Sequence, residues 1–225
     1  SIVVTTNDGK KTATCRVEVV QTNINTGGGG GRSTSPSSSI VDTETTGPID
    51  IIVDGKKQDL PVTLHFQEEH NNRIATASFG GEENLSLDKA QVITLKAQED
   101  VSEFIVKFTG EMLKNMISNE NTLQLETSRA IYNLPTEQID IEHISQQLGK
   151  NVDFKDIQIN VKIVEPSEGE VQLINRVAQS RNVTIIVKPI TFEIEANYDN
   201  QTIAVKEFNG FVERMLTIPE GINPE

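Results

Sequence analysis

His65-Phe-Gln-Glu-Glu-His70 is the stretch whose residue types come nearest to metal chemistry. A zinc-protease helix places two histidines at i and i+4, so both imidazoles share one face with a glutamate beside them. Here the histidines are at i and i+5, within a pattern that reads as a hairpin. On a strand those positions point to opposite faces, so the motif predicts exposed histidines and not ligands. His143 lies in an acidic helical stretch with no partner in sequence. Adjacent carboxylates occur at Glu68-Glu69, Glu82-Glu83 and Glu99-Asp100. General acid–base work needs two carboxylates in unlike environments, so that their pKa values separate. These pairs fall between strand-like runs and read as solvated turns. They offer oxygen ligands for Ca2+, a weak cofactor reading because no EF-hand spacing supports it. The sequence points to no other cofactor and to no catalytic, cofactor-binding or metal residues.

Nucleophile and phosphate motifs are missing too. No Gly-x-Ser-x-Gly occurs, and the Gly27 to Gly31 run is followed by neither Lys-Ser/Thr nor a helical pattern. Cys15 is the single cysteine, so no intramolecular disulfide forms, and its place in an alternating run predicts a small apolar strand residue. Asn84-Leu-Ser86, Asn182-Val-Thr184 and Asn200-Gln-Thr202 match the glycosylation triplet, which arises by chance in a chain this rich in Asn and Thr.

The elements that must position these residues divide at Thr26 to Ser39, TGGGGGRSTSPSSS, a run without a large apolar side chain. Such a run cannot recover its ordering entropy by burial and behaves as a tether. Residues 22–47 are thus expected as a flexible linker, 1–21 as the end of one domain and 48–225 as a second module. About 175 residues suffice for one sizeable core or two small subdomains. Before the linker, Ile2 to Thr6, the turn Asn7-Asp-Gly-Lys10 and Thr12 to Val20 form a hairpin pattern. Such a hairpin is marginal alone.

After the linker, strands are expected at Ile49–Val53, Lys57–Leu60, Val62–Phe66, Ile74–Phe79, Val92–Leu95 and Phe104–Phe108, with a polar loop over 68–73. Met112, Leu113, Met116 and Ile117 then switch to helical spacing. Thr122–Glu126 and Ala130–Leu134 form a hairpin. Ile141, Ile144 and Leu148 return to helical spacing, with Gly149 at the C-cap. Ile157–Val164 alternates cleanly. Ser167 with Glu170 is a capping box opening a helix whose apolar stripe is Val171, Ile174, Val177 and Ala178. Strands at Val183–Val187, Thr191–Ala196, Thr202–Lys206 and Phe211–Ile218 complete the chain. The expected class is α+β, mainly antiparallel β, with about three short helices packed on one side and no fixed-period repeat.

The chain has 33 acidic and 20 basic residues, a net charge of -13. That excess repels phosphate backbones and anionic lipid, so nucleic-acid binding is not expected. No window of about 18 apolar residues exists, so no membrane insertion by a helix is expected. The chain opens at Ser1 without an initiator Met and reads as an internal segment, so its lack of a signal peptide says nothing of export.

Two stretches carry a family resemblance. VVTTNDGKKTATCRVEVV, residues 3–20, resembles the last hairpin of a bacterial Ig-like (group 2) domain, a partial Ig-like β-sandwich. MLKNMISNENTLQLETSRAIYNLPTEQIDIEHISQQLG, residues 112–149, and FNGFVERMLTIPEGINPE, residues 208–225, resemble the module between Ig-like repeats and S-layer homology repeats in Gram-positive surface proteins. The resemblance implies a secreted, extracellular protein of the cell wall or S-layer, with the module continuing past Glu225. It implies that cell-wall polysaccharide is bound by neighbouring domains outside this chain. It brings no catalytic motif. Lys–Asn isopeptide crosslinks occur in surface domains of such bacteria and need a Lys, an Asn and a buried carboxylate on adjacent strands.

The expected function is therefore a non-catalytic structural spacer of a cell-surface protein. The alternative is an adhesin or carbohydrate-binding module, which the absence of Trp and the presence of only Tyr132 and Tyr198 disfavour. An enzyme reading would require a deep pocket lined by His65 or His143 and buried carboxylates. A fragment spanning Pro48 to Glu225 should fold with the same circular dichroism and melting temperature as the full chain. Failure of that fragment to fold would reject the linker boundary.

Overall fold

The computed structural model describes residues 2–5, 12–15, 49–58, 60, 62–69, 72–80, 87–149 and 152–218. The expected linker, His70, Glu82-Glu83 and Asn84 lie outside them. β1 (Ile2–Thr5) and β2 (Thr12–Cys15) pair antiparallel as a two-stranded sheet. The remaining strands are β3 (Ile49–Val53), β4 (Lys56–Lys57), β5 (Val62–Glu69), β6 (Asn72–Phe79), β7 (Val92–Ala97), β8 (Glu103–Thr109), β9 (Thr122–Glu126), β10 (Ala130–Pro135), β11 (Gln158–Val164), β12 (Thr191–Tyr198), β13 (Gln201–Ala204) and β14 (Glu213–Leu216). The helices are α1 (Gly110–Ser118), α2 (Ile141–Leu148) and α3 (Glu168–Ser180).

Two six-stranded sheets result, ordered β14-β10-β9-β7-β3-β4 and β13-β12-β11-β8-β6-β5. Alternation decides which faces meet. Phe104, Val106 and Phe108 of β8, Ile159, Val161 and Ile163 of β11, and Ile93 and Leu95 of β7 join Leu123, Leu125 and Leu134 in one continuous buried cluster. The fold is α+β and mainly β, as expected. Asp54 (φ 49) and Gly55 (φ 77) both turn left-handed between β3 and β4, the Asp-Gly hairpin geometry.

Strand pairing is mainly antiparallel, as expected, with two parallel exceptions. β6 runs parallel to β8, and β7 runs parallel to β9. In each case the intervening strand belongs to the other sheet, so the two crossovers interlock. No local sequence signal encodes this, because the pairing joins residues about 30 apart whose own patterns are ordinary. β5 and β6 also extend into the expected polar loop, to Glu69 and from Asn72, and β14 is shorter than Phe211–Ile218. The return after Asp54-Gly55 is only Lys56–Lys57.

The helices differ in kind. α1 is capped by Thr109, whose hydroxyl accepts from Met112 N at 3.1 Å, and buries Leu113 and Met116. A Cβ at Gly110 would meet the Phe154 carbonyl oxygen at 2.8 Å, so only glycine permits this approach. α2 is capped by Asp140 and buries Ile141, Ile144 and Leu148. α3 carries the expected capping box, with Ser167 N donating to Glu170 Oε2 at 2.9 Å, yet it buries no residue. The expected packing of all three helices on one side is therefore wrong for α3. Its place explains this. Val164 and Thr191 are cross-strand partners, so 165–190 is an excursion between paired strand ends, with no strand face of its own. Val183–Val187 is not a strand for a related reason. β11 and β12 each already have neighbours on both sides, so a β-branched run here finds no free edge among them.

Tyr132 is fully buried with its ring 5.1 Å from Phe192 of the other sheet, and its hydroxyl has no hydrogen-bond partner. Arg214 of β14 lies over Tyr132, Phe192 and Phe208 at 5.4, 5.7 and 5.8 Å, closing that edge of the sandwich. Burial pushes the Tyr132 phenol pKa up, and Arg214, by its charge and by its approach to the hydroxyl, opposes this. A raised phenol pKa means the folded state resists ionisation, so this stabilisation is present below about pH 10 and is lost as pH rises beyond it. Tyr132→Phe should change stability at pH 7 by less than about 1 kcal/mol, because Arg214 approaches the buried hydroxyl without a well-formed hydrogen bond, and should flatten the alkaline loss. Urea melts at pH 7 and pH 11 check both; a large destabilisation at pH 7 would show that the hydroxyl is satisfied.

Candidate functional site

α2 and the segment following β13 face each other across an open cleft of about 360 Å³. Asp140, His143 and Gln147 line one wall, and Ile203 to Asn209 line the other. Local structure explains the first wall. Asp140 Oδ1 accepts from His143 N at 2.9 Å as the α2 cap, which fixes its carboxylate at the helix start. Gln147 lies one turn beyond His143, and its Nε2 stands 2.8 Å from the imidazole Nε2. The second wall is anchored where Asn209 N donates to Gln138 O at 3.1 Å and Asn209 Nδ2 to Glu137 O at 3.0 Å. Lys206 and Glu207 add one charge of each sign, and Phe208 adds an apolar surface. The arrangement can bind by hydrogen bonding. It does not build an acid–base pair, because the cleft is open to water, its carboxylate is held as a helix cap and no dry pocket surrounds His143.

The structure separates the other sequence-stretch residues. His65 is exposed on β5, and α2 places His143 in the cleft. Glu68 and Glu99 flank Arg73 at 3.8 and 3.3 Å. Asp100 meets Arg129 Nε at 3.5 Å and accepts from the Ser128 hydroxyl. The acidic clusters thus serve arginines and hold loops together. Among the described residues no group of three or more His, Cys, Asp or Glu is placed to hold a metal ion. Asn182 (φ 53) and Asn200 lie in exposed turns. Tyr198 is half-buried, and Tyr132 belongs to the core.

Sequence reasoning missed the long-range partners. Glu165 receives both Arg129 and Lys188, which ties the β9–β10 loop to the base of the 165–190 excursion. Lys162 and Glu195 pair across β11 and β12 at 2.7 Å, and Lys96 pairs with Glu126 across parallel β7 and β9. These charges look like ordinary surface residues in sequence. Only strand register brings them together.

Among the described residues, Lys107 and Glu195 both stand opposite Asn160 on neighbouring strands, the combination an isopeptide bond requires. These positions alternate with core-facing Val106, Ile159 and Ile194 and so occupy the outer face. Glu195 is engaged by Lys162. The carboxylate is therefore paired and partly wet, unlike the buried proton shuttle that such a bond needs.

Among the described residues no helix is long and apolar enough to cross a membrane. No protein-family model, curated protein or solved structure matches this chain. The intact mass of the purified chain should equal the sequence mass, without the loss of one ammonia. A deficit of that size, abolished by Asn160→Ala, would show a crosslink at this triplet. Asp140→Ala should cost about 1 kcal/mol in a thermal melt through loss of the α2 cap.

Proposed function

We propose that this chain is a non-catalytic structural module of a bacterial cell-surface protein, of the kind associated with S-layers. It would act as a spacer that holds neighbouring domains apart, outside the cell, with attachment to wall polysaccharide supplied by those neighbours. The observation that carries this reading is the disposition of charge around the two-sheet core. The least exposed carboxylates in ion pairs, Glu165, Glu126 and Glu195, each lie against a cation. Groups neutralised in this way stabilise an architecture and are not poised for turnover. The resemblance of residues 3–20 and 112–149 to surface-protein modules favours the same reading.

A carbohydrate-binding or adhesin role is the second reading. It is favoured by the α2 cleft, with its hydrogen-bonding walls and Phe208, and by Phe211 on the same loop, which is 86% exposed. A bare aromatic face is what sugar rings stack on. Purified chain incubated with peptidoglycan-linked wall polysaccharide, and with a glycan array, separates the two. The spacer reading expects no retention above background. Retention that Phe211→Ala and Asn209→Ala reduce at least about tenfold would replace it with the second reading.

A further inference from the structure

Of the eight large apolar side chains exposed among the described residues, five lie between Leu173 and Ile186. Leu173 and Val183 are each 58% exposed, Val177 46%, Ile186 45% and Ile174 36%. Scattered apolar residues need no explanation, but a concentration on one excursion does. Helical spacing orders the charges around it. Glu170, Ile174, Val177 and Arg181 follow at steps of four, three and four, which places them on one stripe with Leu173 alongside. The stripe therefore reads acid, apolar, apolar, base from the N-terminal to the C-terminal end. Glu168, Arg176 and Arg181 make no ion pair with another described residue, whereas charges elsewhere on the sandwich are laced together.

This pattern complements itself only when one copy is reversed. Two α3 helices laid antiparallel across a two-fold axis bring Glu170 of one beside Arg181 of the other, twice, and press Leu173, Ile174 and Val177 together between them. The helix dipoles also oppose one another in that arrangement. A parallel pair would set like charges side by side. The wider charge distribution favours the same place. The chain carries -13 overall, but residues 165–190 hold three Glu against two Arg and one Lys. Two acidic molecules meet least repulsion where each is locally neutral.

We propose that α3 is a self-association surface, on which a second copy of this chain docks antiparallel through the Ile174–Val177 stripe. A 13-residue helix is about 20 Å long, so the contact is below the size of a standard stable interface and the dimer is a weak one. In the assembled protein such contacts would act between neighbouring molecules held at high local concentration.

Sedimentation equilibrium of the full chain, up to millimolar concentration, tests this. The mass should rise from monomer to dimer and no further, with weaker association in high salt. Ile174→Glu with Val177→Glu should weaken dimerisation at least about tenfold while leaving circular dichroism and melting temperature unchanged, since neither side chain is buried. Glu170→Lys, with its helix content checked by circular dichroism, and Arg181→Glu should each weaken self-association, and an equimolar mixture of the two should restore it. A chain that stays monomeric throughout, a dimer indifferent to the Ile174 and Val177 changes, or a charge-swapped mixture that fails to recover would overturn the proposal. Binding to zwitterionic vesicles in place of dimerisation would overturn it as well, by making lipid the occupant.

Discussion

Ile93 and Leu95 of β7 and Phe104 and Val106 of β8 are fully shielded from solvent and come from different sheets. Between them the chain crosses the sandwich. It crosses again from β8 through α1 to β9, and each crossing leaves a parallel pair behind, β6 with β8 and β7 with β9. The single apolar layer is therefore shared by strands that alternate between sheets along the chain. Neither sheet can leave without stripping apolar surface from the other and stretching the connections that cross between them. Removing one of these large side chains to Ala carries a typical core cost of about 2–5 kcal/mol, which sets the scale of what each crossing secures. The ends are then closed by specific devices: α1 over Gly110, Arg214 over Tyr132 and Phe192, and Glu165 between Arg129 and Lys188.

That construction bears on function through what it leaves over. The core consumes the β-branched and aromatic residues, and register pairs many of the charges that remain. Among the described residues, groups without an evident structural role gather in two places. One is the cleft between α2 and the β13–β14 connection, where hydrogen-bonding groups surround an apolar patch. The other is α3, which is formed by its own cap and not by packing. The proposed spacer role would need a rigid body and a way of meeting neighbours, and the sandwich and these two places would supply them.

Local chemistry was legible in the sequence where the decisive partners are close in the chain. The Ser167–Glu170 capping box, the Asp54-Gly55 turn, the alternation of β11 and the buried positions of α2 all depend on neighbours within a few residues. Three features were not legible, each because the deciding partner is distant. The Val171, Ile174, Val177 and Ala178 stripe has the spacing of a core-facing helix, but whether a surface waits beneath it depends on Val164 and Thr191 being paired. Val183–Val187 has strand composition without a free edge. The cleft exists because Asn209 anchors to Glu137 and Gln138, a contact that no periodicity announces.

The central claim is mechanical: the interlocked crossings make residues 49–218 yield as one unit. Pulling a single full-length chain by its two ends measures this directly. The account predicts one force peak that releases the contour of both sheets together, with at most a minor earlier step from the α3 excursion. Release of one six-stranded sheet before the other, in two separable peaks, would contradict it.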